Sequence, residues 1–164
     1  MKISKIETFA TTIQKFYFND EEIQHLLNEI IAKKEEIKKT SYFYNMQNED
    51  YGKEYYTDFN NPIKLHEYEK LMFMIGNFYQ DKSFNILNYW SALYYQNSWH
   101  DTHAHSDPRY NFSSILYLTN NTGGTSFYSP NLTSDIEKHF EASEVGKLVI
   151  FPASLFHSVY HKDN

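Results

Sequence analysis

The second half of the chain consists of short apolar runs separated by turn residues, a pattern that favours strands over helices. The segment 120–124 and Gly146 supply the turn residues. Five runs predict strands, at Ile86–Tyr95, Ser113–Thr119, Thr125–Tyr128, Lys147–Pro152 and Phe156–Tyr160. These runs follow a helical region instead of alternating with helices, so the chain is predicted to be an α+β protein.

The first half has the pattern of a supporting region. Ile3–Phe18 is rich in β-branched and aromatic residues and predicts one or two strands. A helix is predicted from Asn19 or Asp20 to about Lys39, and a second one from about Leu65 to Tyr79. The apolar stripe that places the first helix against a core is Ile23, Leu26, Leu27, Ile30 and Ile31. The residues between the two helices, 40–64, predict an irregular loop that carries short strands at most.

A chain of 164 residues is long enough for one hydrophobic core and short for two. We therefore expect a single domain over residues 1–164. In it, residues 1–83 supply strands and two helices that brace a β core formed by residues 84–164.

Composition excludes several classes of function. Cysteine is absent, so a metal site must be built from histidine and carboxylate side chains. The net charge of -6 argues against nucleic acid as a partner. No apolar stretch is long enough to span a membrane, and no targeting segment is evident, so a cytoplasmic location is expected.

The candidate chemistry lies in a histidine-rich segment. Three of the eight histidines fall at His100, His103 and His105, and Asp107 follows directly. In an extended segment residues i and i+2 point to the same side, so His105 and Asp107 can direct two ligand atoms at one point. His157 follows an apolar strand and is the best candidate for a third ligand.

His103 is a rival, because His103 and His105 have the same spacing. Otherwise His103 is expected to support the ligands from outside the coordination sphere or to lie beside the substrate. His100 is predicted to face solvent, and His139 is predicted to be an ordinary surface histidine. Two histidines with one carboxylate suit Fe(II) and leave open positions for substrates.

The order of these motifs resembles the Fe(II)/2-oxoglutarate-dependent oxygenases of the prolyl-4-hydroxylase-like group, especially small bacterial and phage members. The resemblance covers about residues 84–164. It implies a double-stranded β-helix, a jelly-roll or cupin-like core, with His105, Asp107 and His157 as the iron ligands. It also implies that Tyr95 and Tyr117 contact 2-oxoglutarate.

The implied reaction is a hydroxylation coupled to oxidative decarboxylation of 2-oxoglutarate to succinate. Fe(II) and 2-oxoglutarate are the implied cofactors, with ascorbate as a further candidate. Dioxygen and an unidentified protein side chain or small molecule complete the expected partners. The oligomeric state is left open.

The pattern departs from the family at the group that holds the far carboxylate of 2-oxoglutarate. Family members usually carry a basic residue on a last strand, at a position that would fall beyond Asn164. Lys162 and Arg109, the only arginine, are the substitutes within the sequence. Arg109 is alternatively a contact for an acidic group of the substrate.

Two other classes of protein stay open. One is a non-catalytic or degenerate metal-binding β-helix module of a larger assembly, in which turnover has been lost. The other is a cupin-type metal protein, which usually adds a further carboxylate to its ligands. Glu144 is the nearest such residue, and its context does not match.

Overall fold

The computed structural model describes residues 2–8, 11–40, 55–57, 68, 70, 71, 73, 87–95, 98–105, 107–120, 123–129 and 137–160. Within them lie ten strands and two helices. In chain order they are β1 (Lys2–Thr8), β2 (Thr11–Tyr17), α1 (Asp20–Ala32), α2 (Lys34–Thr40), β3 (Tyr55–Thr57), β4 (Ala92–Tyr94), β5 (Trp99–His103), β6 (Phe112–Leu116), β7 (Gly124–Tyr128), β8 (Lys138–Ala142), β9 (Lys147–Pro152) and β10 (His157–Tyr160).

The chain forms two compact units. One contains Met1–Asp20, Gly52–Glu54 and Tyr94–Asn164, and the other contains Glu21–Tyr51 and Tyr55–Leu93. The single-domain organisation and the bracing of the β core by helices stay predictions. No helix in the described ranges is long and apolar enough to cross a membrane.

The first unit is built from two four-stranded sheets in which neighbouring strands are antiparallel. The first sheet has the order β1-β2-β9-β6 and the second has the order β5-β10-β7-β8. In both sheets a late strand lies between earlier ones: β9 separates β2 from β6, and β10 separates β5 from β7. The predicted α+β class is confirmed, with mostly antiparallel strands.

An apolar core joins the two sheets. Ile13, Val149 and Phe151 of the first sheet form one buried cluster with Phe127 of the second. The rings of Phe127 and Phe151 meet edge to face, with centroids 4.9 Å apart. Burying such a ring contributes roughly 1.5–3 kcal/mol, so these alternating inward residues hold the sheets together.

A buried ion-pair cluster also links the two sheets. Glu141 on β8 accepts hydrogen bonds from Lys147 Nζ on β9 at 2.7 Å and lies 2.6 Å from Lys15 Nζ on β2. Lys147 also donates to the carbonyl oxygen of Ala142. All three charged side chains are largely removed from solvent. A buried charge is costly unless it is paired, so each member requires the others.

The first predicted helix is present but divided. A turn at Lys33 separates α1 from α2, so the expectation of one continuous helix was wrong. Ile23, Leu26 and Ile30 are buried as predicted, whereas the side chain of Ile31 is 59% exposed. Ile31 lies about 100° around the helix from Ile30, outside the buried face. The buried face continues in α2 at Ile37.

The predicted strands match the observed ones unevenly. The strand predicted at Lys147–Pro152 is confirmed with its bounds, and those near β6, β7 and β10 differ by a few residues at their ends. In place of Ile86–Tyr95 the described residues contain only the short strand Ala92–Tyr94. The second helix falls mostly outside the described residues, although positions 68, 70, 71 and 73 are helical. Apart from the strand Tyr55–Thr57, so does the loop 41–64.

Candidate metal centre

Strand pairing in the second sheet brings two distant histidines together. His157 opens β10 and is the direct cross-strand partner of His103, the last residue of β5. Paired residues on adjacent strands point to the same face, so both imidazoles lie on one side of the sheet. Their ring centroids are 4.2 Å apart.

His105 joins this pair from the segment that follows β5. Its backbone N–H donates to the carbonyl oxygen of Ala153 at 2.8 Å, which fixes the main chain beside the start of β10. Its ring centroid lies 5.2 Å from that of His103 and 5.3 Å from that of His157.

The three histidines can share one metal ion. One ring nitrogen from each lies within 4.8 Å of the others. An ion that binds imidazole nitrogens at about 2 Å holds its ligand nitrogens up to about 4 Å apart. Small side-chain rotations therefore suffice to close the site. His157 is buried, whereas His103 and His105 are partly accessible to solvent. The site can therefore be reached from solvent on the side of His103 and His105.

Hydrogen bonds orient two of the three rings. Nδ1 of His103 lies 2.8 Å from the carbonyl oxygen of Asp101, and Nδ1 of His157 lies 3.0 Å from the carbonyl oxygen of Leu155. A carbonyl oxygen only accepts, so each Nδ1 carries the proton and each Nε2 presents its lone pair. This is the arrangement in which histidine binds metals through Nε2.

Two histidines of this cluster, His105 and His157, favour the neutral form. The pKa of His157 is lowered to about 3: burial is the main cause, the neighbouring histidines act in the same direction, and the hydrogen bond to Leu155 opposes them. Burial and the neighbouring His103 also hold the pKa of His105 below its usual range. Neutral imidazoles at pH 7 bind metals without first losing a proton.

Asp107 is not a member of the three-histidine group and is paired with Arg109. Its Oδ1 accepts hydrogen bonds from the backbone N–H and the Nε of Arg109, both at 2.9 Å. Its Oδ2 accepts from Arg109 Nη2 at 2.5 Å. These side-chain and backbone hydrogen bonds lower the pKa of Asp107 to about 2. Among the described residues the group whose side chains could hold a metal ion contains His103 and not Asp107. The role of Asp107 as a ligand stays a prediction.

The remaining predicted site residues are placed as follows. Tyr117 is buried in the core between the sheets, where its hydroxyl donates to Thr125 Oγ1 at 2.7 Å. Tyr95 directly follows β4 and is partly buried. Contacts of these two tyrosines with 2-oxoglutarate stay predictions. Arg109 is exposed at its pair with Asp107, and Lys162 lies outside the described residues.

Two histidines occupy different surroundings from those expected. His100 was predicted to face solvent, but its ring is stacked on that of His103, with centroids 4.0 Å apart. Burial and the neighbouring His103 lower the pKa of His100 to about 4. His139 was predicted to be an ordinary surface residue, but its Nε2 lies 3.3 Å from Glu141 Oε2. The expectation for His100 was wrong, because its ring is half-buried against that of His103. His139 is partly exposed and in addition contacts the buried carboxylate of Glu141.

Two four-stranded antiparallel sheets and two helices define an α+β fold, in which three histidines that could hold a metal ion gather at one strand end. A solved structure that shares this fold is a prolyl-4-hydroxylase from Pseudomonas putida, with a TM-score of 0.64. The match covers 93% of this chain and 87% of that one, at 15% sequence identity. No protein-family profile and no curated protein matches the sequence. The comparison therefore establishes the fold alone.

Proposed function

We propose that this protein is an Fe(II)/2-oxoglutarate-dependent oxygenase that hydroxylates a protein side chain or a small molecule. The observation that supports this most directly is the convergence of His103, His105 and His157 at one end of a β fold. A prolyl-4-hydroxylase shares that fold. Fold alone does not determine activity, so the proposal depends on the chemistry of this site.

The proposal includes a double-stranded β-helix. Its support is the order of the strands, since β9 and β10 each return to lie between two earlier strands. That arrangement places His157, the first residue of β10, beside the end of β5. The ligand from the late strand and the ligands from the early segment then face a common point.

The chain's own residues bind and orient the metal. His157, buried against the rings of Phe127 and Phe151, supplies a rigid inner ligand. His105 supplies a second ligand from a backbone tied to Ala153. Both belong to the ligand set predicted from the sequence and to the cluster observed.

When bound, Fe(II), 2-oxoglutarate and dioxygen would supply the oxidation: one oxygen atom of dioxygen would enter a substrate C–H bond, and the other would enter the succinate formed, with carbon dioxide, from 2-oxoglutarate. Imidazole ligands add no negative charge, so the site attracts the dianionic keto acid. Buried apolar rings around His157 exclude water from the inner side.

The substrate is not identified. We assign its recognition to Arg109. It is exposed, it follows the metal-binding segment closely, and it is the only arginine in the chain. Its planar guanidinium suits a carboxylate or phosphate. In this structure it donates hydrogen bonds to Asp107.

The test is turnover of 2-oxoglutarate by protein loaded with Fe(II), measured as succinate formed in the absence of a second substrate. We expect turnover that is lost in His105→Ala and in His157→Ala. His25→Ala is the matched control, because His25 is an exposed histidine on α1. A folded, iron-loaded protein that forms no succinate and has no affinity for 2-oxoglutarate would contradict the proposal. That result would favour a non-catalytic metal-binding module.

A further inference from the structure

We infer that the metal is held by three histidines, His103, His105 and His157, and that Asp107 stays outside the coordination sphere, paired with Arg109. This ligand set differs from the two histidines and one carboxylate that the sequence resemblance implies. The inference rests on the proposed function only for the presence of a divalent metal, and it concerns which side chains bind that metal.

The first argument is the position of His103 in the sheet. His103 and His157 are direct cross-strand partners, so strand pairing fixes the separation of their backbones. Asp107 lies four residues beyond the end of β5, in a turn. Groups carried by paired strands keep their geometry better than groups carried by a turn.

The second argument is the orientation of the imidazoles. Metal-binding histidines almost always donate their second ring N–H to a carbonyl or carboxylate. His103 already makes such a bond to the carbonyl of Asp101, as His157 does to the carbonyl of Leu155. His103 therefore makes the Nδ1 hydrogen bond that is typical of a metal-binding histidine, and it presents Nε2 in the same way as His157.

The third argument is that the carboxylate of Asp107 is already paired with Arg109. Both of its oxygens accept hydrogen bonds from Arg109, and the guanidinium approaches the carboxylate along its Nε and Nη2 edge. An exposed pair of this kind stabilises the fold little. It is nonetheless the arrangement that the metal-binding segment adopts, and the three-histidine site requires no break in it.

The ligand set changes the charge of the site. Three neutral imidazoles leave the full double positive charge on the metal, which a dianionic keto acid neutralises. A carboxylate ligand would leave one charge fewer to attract it. All-nitrogen coordination also favours later divalent metals such as Co(II), Ni(II) and Zn(II) over Mn(II).

The experiment measures Co(II) binding to the purified full chain by calorimetry, without 2-oxoglutarate or dioxygen. It compares the wild type with His103→Ala, Asp107→Asn and Arg109→Gln. Mutating even a residue that only hydrogen-bonds to a metal ligand costs about 10–100-fold in metal affinity. We therefore expect His103→Ala to weaken Co(II) binding by at least about 10–100-fold. Asp107→Asn and Arg109→Gln are expected to bind Co(II) within about threefold of the wild type.

A second readout counts the coordinated imidazoles directly. In the Co(II) protein each histidine bound through Nε2 contributes one paramagnetically shifted, solvent-exchangeable N–H resonance in the proton NMR spectrum. We expect three such resonances in the wild type and in Asp107→Asn. A role of His103 in folding alone would not produce the third resonance. Circular dichroism of each variant checks that its fold is retained.

Three outcomes overturn the inference: loss of Co(II) affinity in Asp107→Asn, unchanged affinity in His103→Ala, or only two exchangeable resonances in the wild type. None of them requires turnover. The proposed oxygenase can therefore fail while the three-histidine site stands, or hold while the site proves to use Asp107.

Discussion

Removing the carboxylate of Glu141 is the perturbation whose effect the structure defines most sharply. Glu141 is the shared partner of Lys15 and Lys147, with nitrogen-to-oxygen distances of 2.6 and 2.7 Å. The side chain of Lys147 is only 3% exposed, so water cannot replace the lost partner. Glu141→Ala would leave two largely buried ammonium groups on the first sheet without their shared counter-charge.

The expected loss follows from that burial. Breaking a buried ion pair by removing one partner costs about 3–5 kcal/mol. For a chain of this length each kcal/mol lowers the melting temperature by about 2–4 °C, so Glu141→Ala should melt about 6–20 °C lower. Glu144→Ala is the matched control, since Glu144 also faces Lys147, at 3.8 Å, but its side chain is 58% exposed. Its loss should cost about 0–1 kcal/mol.

The assay is urea and thermal unfolding of wild type, Glu141→Ala and Glu144→Ala, followed by circular dichroism. Equal destabilisation by the two variants, or a loss below about 1 kcal/mol for Glu141→Ala, would refute the assignment of a buried cluster. Such a result would mean that water reaches the lysines or that they deprotonate easily.

The lowered pKa of Glu141 predicts that the stability of the protein depends on pH. Burial by itself raises the pKa of Glu141, but hydrogen bonds and attraction from Lys147 and Lys15 outweigh it and hold the pKa below its usual value. A lowered pKa in the folded state stabilises the protein above the unfolded value of about 4.3 and loses this effect as pH falls through the folded value. The stability difference between wild type and Glu141→Gln should therefore shrink below about pH 4. A constant difference from pH 7 to pH 3 would contradict this.

Three further predictions test the turn, the core and the metal site. Gly146 has a φ of 79°, so Gly146→Ala should cost about 1–2 kcal/mol in urea unfolding, and an unchanged midpoint would count against the turn. Phe127→Ala should cost about 3–5 kcal/mol because the ring is fully buried, whereas Phe156→Ala, at an exposed ring, should cost far less. Co(II) at about 100 times its dissociation constant should stabilise the wild type by about 2.7 kcal/mol. Chelation should reverse this, and His157→Ala should abolish it; equal stabilisation of that variant would exclude the site.

The strands were predicted well where inward apolar residues are consecutive or alternate regularly. Lys147–Pro152 is an almost uninterrupted apolar run, and its predicted bounds are those of β9. β8 was missed, because its pattern is inverted: Phe140 is exposed while Glu141 points inward. A prediction from hydrophobic alternation would place Phe140 inside and Glu141 outside. Only the lysines on the facing sheet make the inward carboxylate stable.

The observed histidine cluster combines two residues that the sequence pattern selected with one, His103, that it ranked as a rival. His105 and His157 were selected by their local surroundings, and both lie in the observed cluster. The preference for Asp107 over His103 came from a family pattern and from i to i+2 spacing, which both residues satisfy with His105. Local spacing cannot distinguish them, because the difference lies in what each side chain meets across the sheet.

By itself the sequence determined the class of the fold, the position of most strands and the segment that contributes most of the histidine cluster, because side-chain alternation and turn residues act over a few neighbouring positions. Only the tertiary structure decided that β10 pairs with β5, which places His157 beside His103, and that Glu141 meets two lysines. The contacts of His157 with His103 and of Glu141 with Lys15 join residues far apart in the sequence, and even Glu141 and Lys147 meet only because β8 and β9 lie in different sheets. Their energies depend on the shared exclusion of water, which no local pattern encodes.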